Sequence, residues 1–393
     1  MSTPSDRHPA LDAGSRDKPN DRTCSPRPRG KHGVTNPLCA ENNRDDDFSG
    51  VQKAIDAEAK DRMCEMLSGV LSYMENPYSR NIAEAPVIWR KGSARVLDYG
   101  QKVQNPKAIV LFVPSLINRY YILDLEEKRS FLRYMAGQGV YPLVLDWGMP
   151  SEAEAGFDCA DYVSEILAPA IDFIAEIWGQ PIALAGYCMG GVMALAASKI
   201  RAKKISSLAL FATPWDFAIP EFLPFLLEKK WQAELEKYIK KQKTLPAEFI
   251  LSLFYLTDPF VFEHKFRRFY GLDKTSEEAK LFTRMEHWVN DGVPMTSGVA
   301  RDCLLGWAQE NQLAKGNWKV SGKKITAPPK DLPVFMAIPK KDSVVPMNCA
   351  APLAKLAKHA EIIYPSAGHV GMIVGSRAKS ELWKPYANWL ISN

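Results

Sequence analysis

Residues 181–192 restrict the fold more than any other stretch of this chain. Pro181 to Ala185 is a short apolar run. Gly186-Tyr187-Cys188-Met189-Gly190-Gly191 follows at once and leads into the small-residue stretch Val192 to Ala197. The first segment predicts a buried strand and the last a helix. With only Gly-x-Cys-x-Gly between them, the chain must reverse sharply, and strand and helix backbones must approach closely. Glycine is needed on either side of the tip because a Cβ would collide there. Cys188 is thereby placed at a helix N-terminus, where the dipole favours a thiolate. The N–H of Met189 becomes a candidate oxyanion-hole donor. A bare Gly-x-Cys-x-Gly also suits an inert buried thiol, but the flanking strand and helix are what a nucleophile elbow requires.

The rest of the chain repeats the same alternation. Apolar runs at Ala108–Val113, Tyr141–Asp146, Ser207–Ala212, Pro333–Ile338 and Glu361–Tyr364 read as strands. Helical periodicity covers Leu123–Gln138, Ala160–Trp178, Gly191–Arg201, Cys349–His359 and Ser376–Ile391. Alternating strands and helices predict βαβ units, hence an α/β chain with a mostly parallel sheet and helices on both faces. With the elbow, this is the α/β-hydrolase fold. Ahead of the sheet lie an amphipathic helix over Val51–Met74, with Ile55, Ala59, Met63, Met66, Leu67 and Leu71 at near-helical spacing, and a hairpin of Pro86–Arg90 with Ala94–Asp98. Residues 1–50, polar and poor in large apolar side chains, read as a disordered tail. Residues 51–213 and 331–393 form the two parts of the core. Between them, 214–330 is a helix-rich insertion carrying Phe222, Phe225, Trp231, Phe254, Phe266 and other large apolar residues. Its position between two strands predicts a helical cap over the active-site edge.

Composition excludes several classes. The seven cysteines are odd in number and contain no Cys-x-x-Cys pair, which argues against a disulfide framework or a zinc site. The thiols therefore point to a reducing, cytoplasmic setting. A net charge of +5 spread along the chain gives no nucleic-acid stripe. The N-terminus lacks the apolar core of a signal peptide, and no apolar run is long enough to span a bilayer.

An elbow nucleophile needs an acid after a later strand and a histidine after the last one. Asp342 lies in the loop after Pro333–Ile338, whereas Asp331 precedes that strand and falls at the wrong end. His369 lies in a Gly-flanked loop after Glu361–Tyr364. Of the other five histidines, His8 and His32 fall in the tail, His264 and His287 in the cap, and His359 at a helix end. The expected triad is Cys188 as nucleophile, His369 as base, and Asp342 fixing the imidazole tautomer. Transfer of an acyl group from a thioester to a thiol is nearly isoenergetic, so cysteine keeps the group activated. That favours passing it to an alcohol, provided water is kept out.

Several segments resemble the polyhydroxyalkanoate synthases, most of all those of short-chain type. They are Val113-Pro114-Ser115-Leu116-Ile117-Asn118-Arg119-Tyr120-Tyr121-Ile122-Leu123-Asp124-Leu125, Leu145-Asp146-Trp147-Gly148-Met149-Pro150, Gly186–Gly191, residues 316–325, 342–346 and 368–371. The similarity runs from about residue 55 to the end. It implies a reaction in which a 3-hydroxyacyl group passes from coenzyme A to Cys188 and then to the hydroxyl of a growing polyester, with His369 as base and Asp342 as the third member. Ser115 or Leu116 would supply a second oxyanion N–H beside Met189. No cofactor or metal is expected, coenzyme A thioester being substrate. The resemblance further implies a homodimer through the cap, an accessory synthase subunit, and a place at the surface of cytoplasmic polyester granules. The Gly-Tyr-Cys-x-Gly-Gly elbow is similar to that of dienelactone hydrolases too. A cysteine hydrolase of polyesters, thioesters or lactones is therefore the alternative, although those enzymes are shorter and lack the insertion and the Ile117–Leu125 stretch.

Overall fold

A computed structural model describes residues 44–219, 229–256 and 258–393. Eight strands form one sheet: β1 Val87–Lys91, β2 Ala94–Asp98, β3 Ala108–Val113, β4 Val140–Asp146, β5 Ile182–Tyr187, β6 Ile205–Phe211, β7 Val334–Ala337 and β8 Glu361–Ile363. Their order across the sheet is β1-β2-β4-β3-β5-β6-β7-β8. The hairpin β1–β2 and the β2–β4 pairing are antiparallel, and every later pairing is parallel. The central strands β3 and β5 are buried on almost every residue, as expected of parallel strands covered on both faces. The sheet and the cysteine elbow thus fold as the sequence predicts, with strand ends moved by a residue or two.

The longer helices, in chain order, are α1 Arg44–Glu75, α2 Phe131–Gly137, α3 Ala168–Trp178, α4 Met189–Ile200, α5 Lys229–Lys241, α6 Ala247–Tyr255, α7 Val261–Tyr270, α8 Glu277–Asn290, α9 Met347–Leu356 and α10 Lys384–Ser392. α5 to α8 lie between β6 and β7 and belong to the insertion, as do a short helix Ser297–Arg301 and a π-helix Asp302–Gln309. Residues 222 and 225, expected among the cap's apolar groups, lie outside the described residues.

Three expectations need correction. The helix expected over Leu123–Gln138 is only α2. Before it come a 3-10 turn Tyr120–Leu123 and a two-strand ribbon of Asp124–Glu126 with Arg129–Ser130. The reason lies in Asp124, fully buried, which takes Arg80 Nη2 at 2.7 Å, Arg133 Nε at 2.8 Å and Tyr99 Oη at 2.8 Å. A buried charge held by two guanidiniums fixes this turn more strongly than helical spacing does. Ser130 then caps α2 by accepting from Arg133 N at 3.0 Å. Secondly, the segment expected as tail is helical from residue 44, because α1 begins at Arg44 rather than near Val51; residues 1–43 lie outside the described residues. Thirdly, Ile55, Met63, Leu67 and Leu71 of α1 remain exposed. α1 is 32 residues long and docks on α7, which has only 10, so part of its surface has no neighbour among the described residues. The contact is made by Tyr73, edge-on to Phe266 at 6.0 Å, and by Glu65, paired with Arg267 at 2.9 Å. α1 therefore packs with the insertion, not with the sheet.

Candidate active site

Cys188 stands between β5 and α4 with φ 56° and ψ −127°. A non-glycine residue is rarely found there, at a cost of about 1–3 kcal/mol. Two backbone hydrogen bonds hold the turn: Cys188 N donates to Phe211 O at 2.8 Å, and Gly191 N to Cys188 O at 2.9 Å. The flanking glycines are needed for the predicted reason. A Cβ on Gly190 would overlap the carbonyl oxygens of Val113 and Pro114, and one on Gly191 would overlap Thr213 Oγ1. The helix therefore starts hard against the end of β3. Cys188 is 9% exposed at the junction, with Met189 as the first residue of α4. An N–H in the first helical turn has no partner within the helix, so that of Met189 faces the elbow unclaimed by α4.

The other two predicted side chains arrive from the neighbouring strand ends. Asp342 follows β7, and its Oδ1 accepts from Val344 N and Val345 N, both at 2.8 Å. Its Oδ2 meets His369 Nδ1 at 2.7 Å. His369 follows β8 and lines the same cavity as Cys188, close enough for the two groups to interact. Burial lowers the affinity of His369 for a proton. The negative charges of Asp342 and of a Cys188 thiolate outweigh it and raise the imidazole to about 10. The three groups thus converge at the strand ends, with the His369 imidazole held by Asp342 beside the Cys188 sulfur. Asp331 is exposed at the opposite end of β7, and His359 is exposed too.

Ser115 lies in the wall of the cavity that opens over Cys188, while Leu116 turns into a separate small pocket beside Trp147 and Met295. The loop carrying them is braced twice. Trp147 Nε1 donates to Pro114 O at 3.0 Å, and Ile117 N donates to Ser115 Oγ at 3.2 Å. The stretch after it ties the insertion to the sheet. Trp288 Nε1 donates to Arg119 O at 2.8 Å, Val293 N to Ile117 O at 2.9 Å, and Tyr121 Oη to Asp291 at 2.9 Å. The Ile117–Tyr121 stretch therefore fixes the cap over the cysteine.

The main cavity has a volume of about 270 Å³ and is reached by Cys188, His369, Ser115, Asn118, Lys265 and Glu286. Lys265 and Glu286 pair at 2.7 Å, with the ammonium over the ring of Tyr255 at 5.1 Å. Neither residue stands out in the sequence, because a Lys and a Glu 21 positions apart carry no spacing signal. Tyr187 is a further site residue that sequence reasoning misses: its ring lies 5.1 Å from that of His369, and its hydroxyl donates to His369 O at 3.3 Å. A residue inside the elbow motif is read for its turn, not for its side chain.

The family model described as alpha/beta hydrolase fold matches residues 143–376. The chain belongs to the α/β-hydrolase fold family. Within this family the resemblance to polyhydroxyalkanoate synthases is borne out. Residues 76–135 match a second model, described as the N-terminus of poly-beta-hydroxybutyrate polymerase (PhaC). That region contains the Asp124 cluster and the Ile117–Tyr121 stretch. Poly(3-hydroxyalkanoate) polymerase subunit PhaC of Haloferax mediterranei is 29% identical over 313 residues, 77% of this chain and 63% of the relative. The protein of the same name from Haloarcula marismortui is 30% identical over 71% of this chain and 60% of its own. The one from Thiocystis violacea is 25% identical over 73% and 82%. This α/β-hydrolase chain thus spans less than two thirds of the length of the first two. Among solved structures, a thermophilic esterase from Thermogutta terrifontis superposes with a TM-score of 0.50 at 13% identity, covering 79% of this chain and 98% of the esterase. That likeness concerns the fold alone.

Proposed function

We propose that this chain is a polyhydroxyalkanoate synthase that carries each 3-hydroxyacyl unit as a thioester on Cys188. The observation that carries the reading is a cysteine at the elbow tip, sharing its cavity with a histidine that Asp342 locks in place, in a chain whose relatives are poly(3-hydroxyalkanoate) polymerases. In this reaction the Cys188 thiolate attacks the acyl carbonyl of a 3-hydroxyacyl-coenzyme A. The oxyanion faces the N–H of Met189 and a second N–H from Ser115 or Leu116, and the coenzyme A thiol leaves with the proton of His369. His369, neutral again, takes the proton of a 3-hydroxyl group as its oxygen attacks the Cys188 thioester. An ester bond forms, and the cysteine is freed as a thiolate beside an imidazolium. Cap residues keep water from that thioester, which separates this chemistry from hydrolysis.

The same reading carries an accessory subunit, in keeping with the word subunit in the names of the relatives, a dimer through the cap, and a place at the granule surface. Among the described residues no helix is long and apolar enough to cross a membrane.

Purified protein incubated with 3-hydroxybutyryl-coenzyme A is expected to release free thiol and to yield chloroform-soluble polyester, with both lost in Cys188→Ala. Thiol release giving only free 3-hydroxybutyrate would assign the chain to the hydrolases instead.

A further inference from the structure

A second cavity, of about 90 Å³, meets the first at Cys188. Ile117, Phe254 and Val344 border both, so the two chambers are divided by the cysteine and these three side chains. They differ in chemistry. The larger chamber presents Asn118, Arg119, Asp258, Lys265 and Glu286, a mix of charged and amide groups that suits the polar arm of a coenzyme. The smaller one is walled by Phe217, Ile250, Leu253, Leu304 and Trp307, with no charged side chain among the described residues that line it. Trp307 is held edge-on against Trp318 at 5.3 Å, so this wall is packed from behind.

We propose that the smaller chamber receives the alkyl substituent of the acyl group carried on Cys188, and that Trp307 and Leu304 set its upper length. The inference rests on the acyltransferase reading above. An acyl group joined to the Cys188 sulfur must place its substituent in one of the two spaces that touch that sulfur. Both spaces have apolar wall, but only the smaller one buries alkyl carbon with no charged side chain facing it among the described residues. Volume settles the size class. An apolar cavity of about 150 Å³ holds a benzene ring. A space of about 90 Å³ therefore takes a methyl, ethyl or propyl group, and it is too small for a further ester unit of the polymer. The growing chain must lie on the side of the larger chamber.

The test is single-turnover acylation of Cys188, read by intact-protein mass. Two series are used, 3-hydroxybutyryl-, 3-hydroxyhexanoyl- and 3-hydroxyoctanoyl-coenzyme A, and the p-nitrophenyl esters of butyrate, hexanoate and octanoate, which acylate a reactive cysteine whatever its natural donor. In the wild type the coenzyme A series falls steeply between hexanoyl, whose propyl group still fits, and octanoyl, whose pentyl group does not. One methylene in a fitted apolar pocket is worth about 10-fold or more. Trp307→Ala and Leu304→Ala are each expected to raise the octanoyl-to-butyryl ratio at least about 10-fold. Two variants are used so that the misfolding of one does not decide the matter. Folded variants that acylate with the wild-type length preference in both series would overturn the proposal. A shift confined to the p-nitrophenyl series, with no acylation from any coenzyme A thioester, would keep the chamber and overturn the synthase reading.

Discussion

At the residue scale the site turns on one proton. Below a pH of about 10 the imidazole of His369 stays charged in the folded chain, whereas a free histidine titrates near 6.5. Its folded value is raised, so the pairing stabilises the fold fully below the unfolded value, and this contribution is lost as pH rises through about 10. Selectively labelled histidine observed by NMR should show His369 with no titration step between about pH 5 and 8.5. In Asp342→Asn the midpoint should fall toward the ordinary range, because the larger of the two raising charges is gone. A His369 midpoint near 6.5 in the wild type would show that its neighbours do not raise the imidazole. Cys188, Asp342 and His369 are legible in the sequence because each follows a strand with a recognisable turn. Lys265, Glu286 and Trp307 are not. They line the two cavities beside Cys188 from helices of the insertion, and nothing in a linear spacing records which face of a helix will close over a distant strand end.

At the element scale the elbow is a close-approach problem. Gly190→Ala would drive a Cβ into the backbone of β3, where no flexible side chain can give way. A loss of about 1–3 kcal/mol is expected, read as a lower urea midpoint with reduced cysteine acylation. Gly137→Ala is the control, because a Cβ there meets nothing within 4 Å, and it should leave the midpoint unchanged or slightly higher. Elements that obey local rules follow the sequence closely: buried runs become strands, and Gly186 to Gly191 becomes the turn. The segment Leu123–Ser130 departs from its helical spacing because its conformation is set by Arg80 and Arg133 converging on Asp124, partners up to 44 residues away. Likewise α1 has helical periodicity, yet its apolar positions do not all find a partner among the described residues. Periodicity specifies a face but not what covers it.

At the scale of the whole molecule, a parallel sheet presents three side chains at its strand ends, and an insertion clamped by Ile117, Arg119 and Tyr121 roofs them. The division of labour follows from that arrangement. In the proposed reaction the sheet supplies nucleophile, base and acid, and the insertion supplies the walls that decide what reaches the sulfur and what is kept from it. The central claim is that the acyl group travels on Cys188. The most direct measurement is the intact mass of the protein quenched in acid within one turnover of 3-hydroxybutyryl-coenzyme A, followed by peptide mapping. A mass increase of one or more hydroxybutyryl units is predicted, confined to the peptide containing Cys188, removed by neutral hydroxylamine and absent in Cys188→Ala. Coenzyme A release with no acylated Cys188 peptide, or acylation persisting in Cys188→Ala, would contradict it.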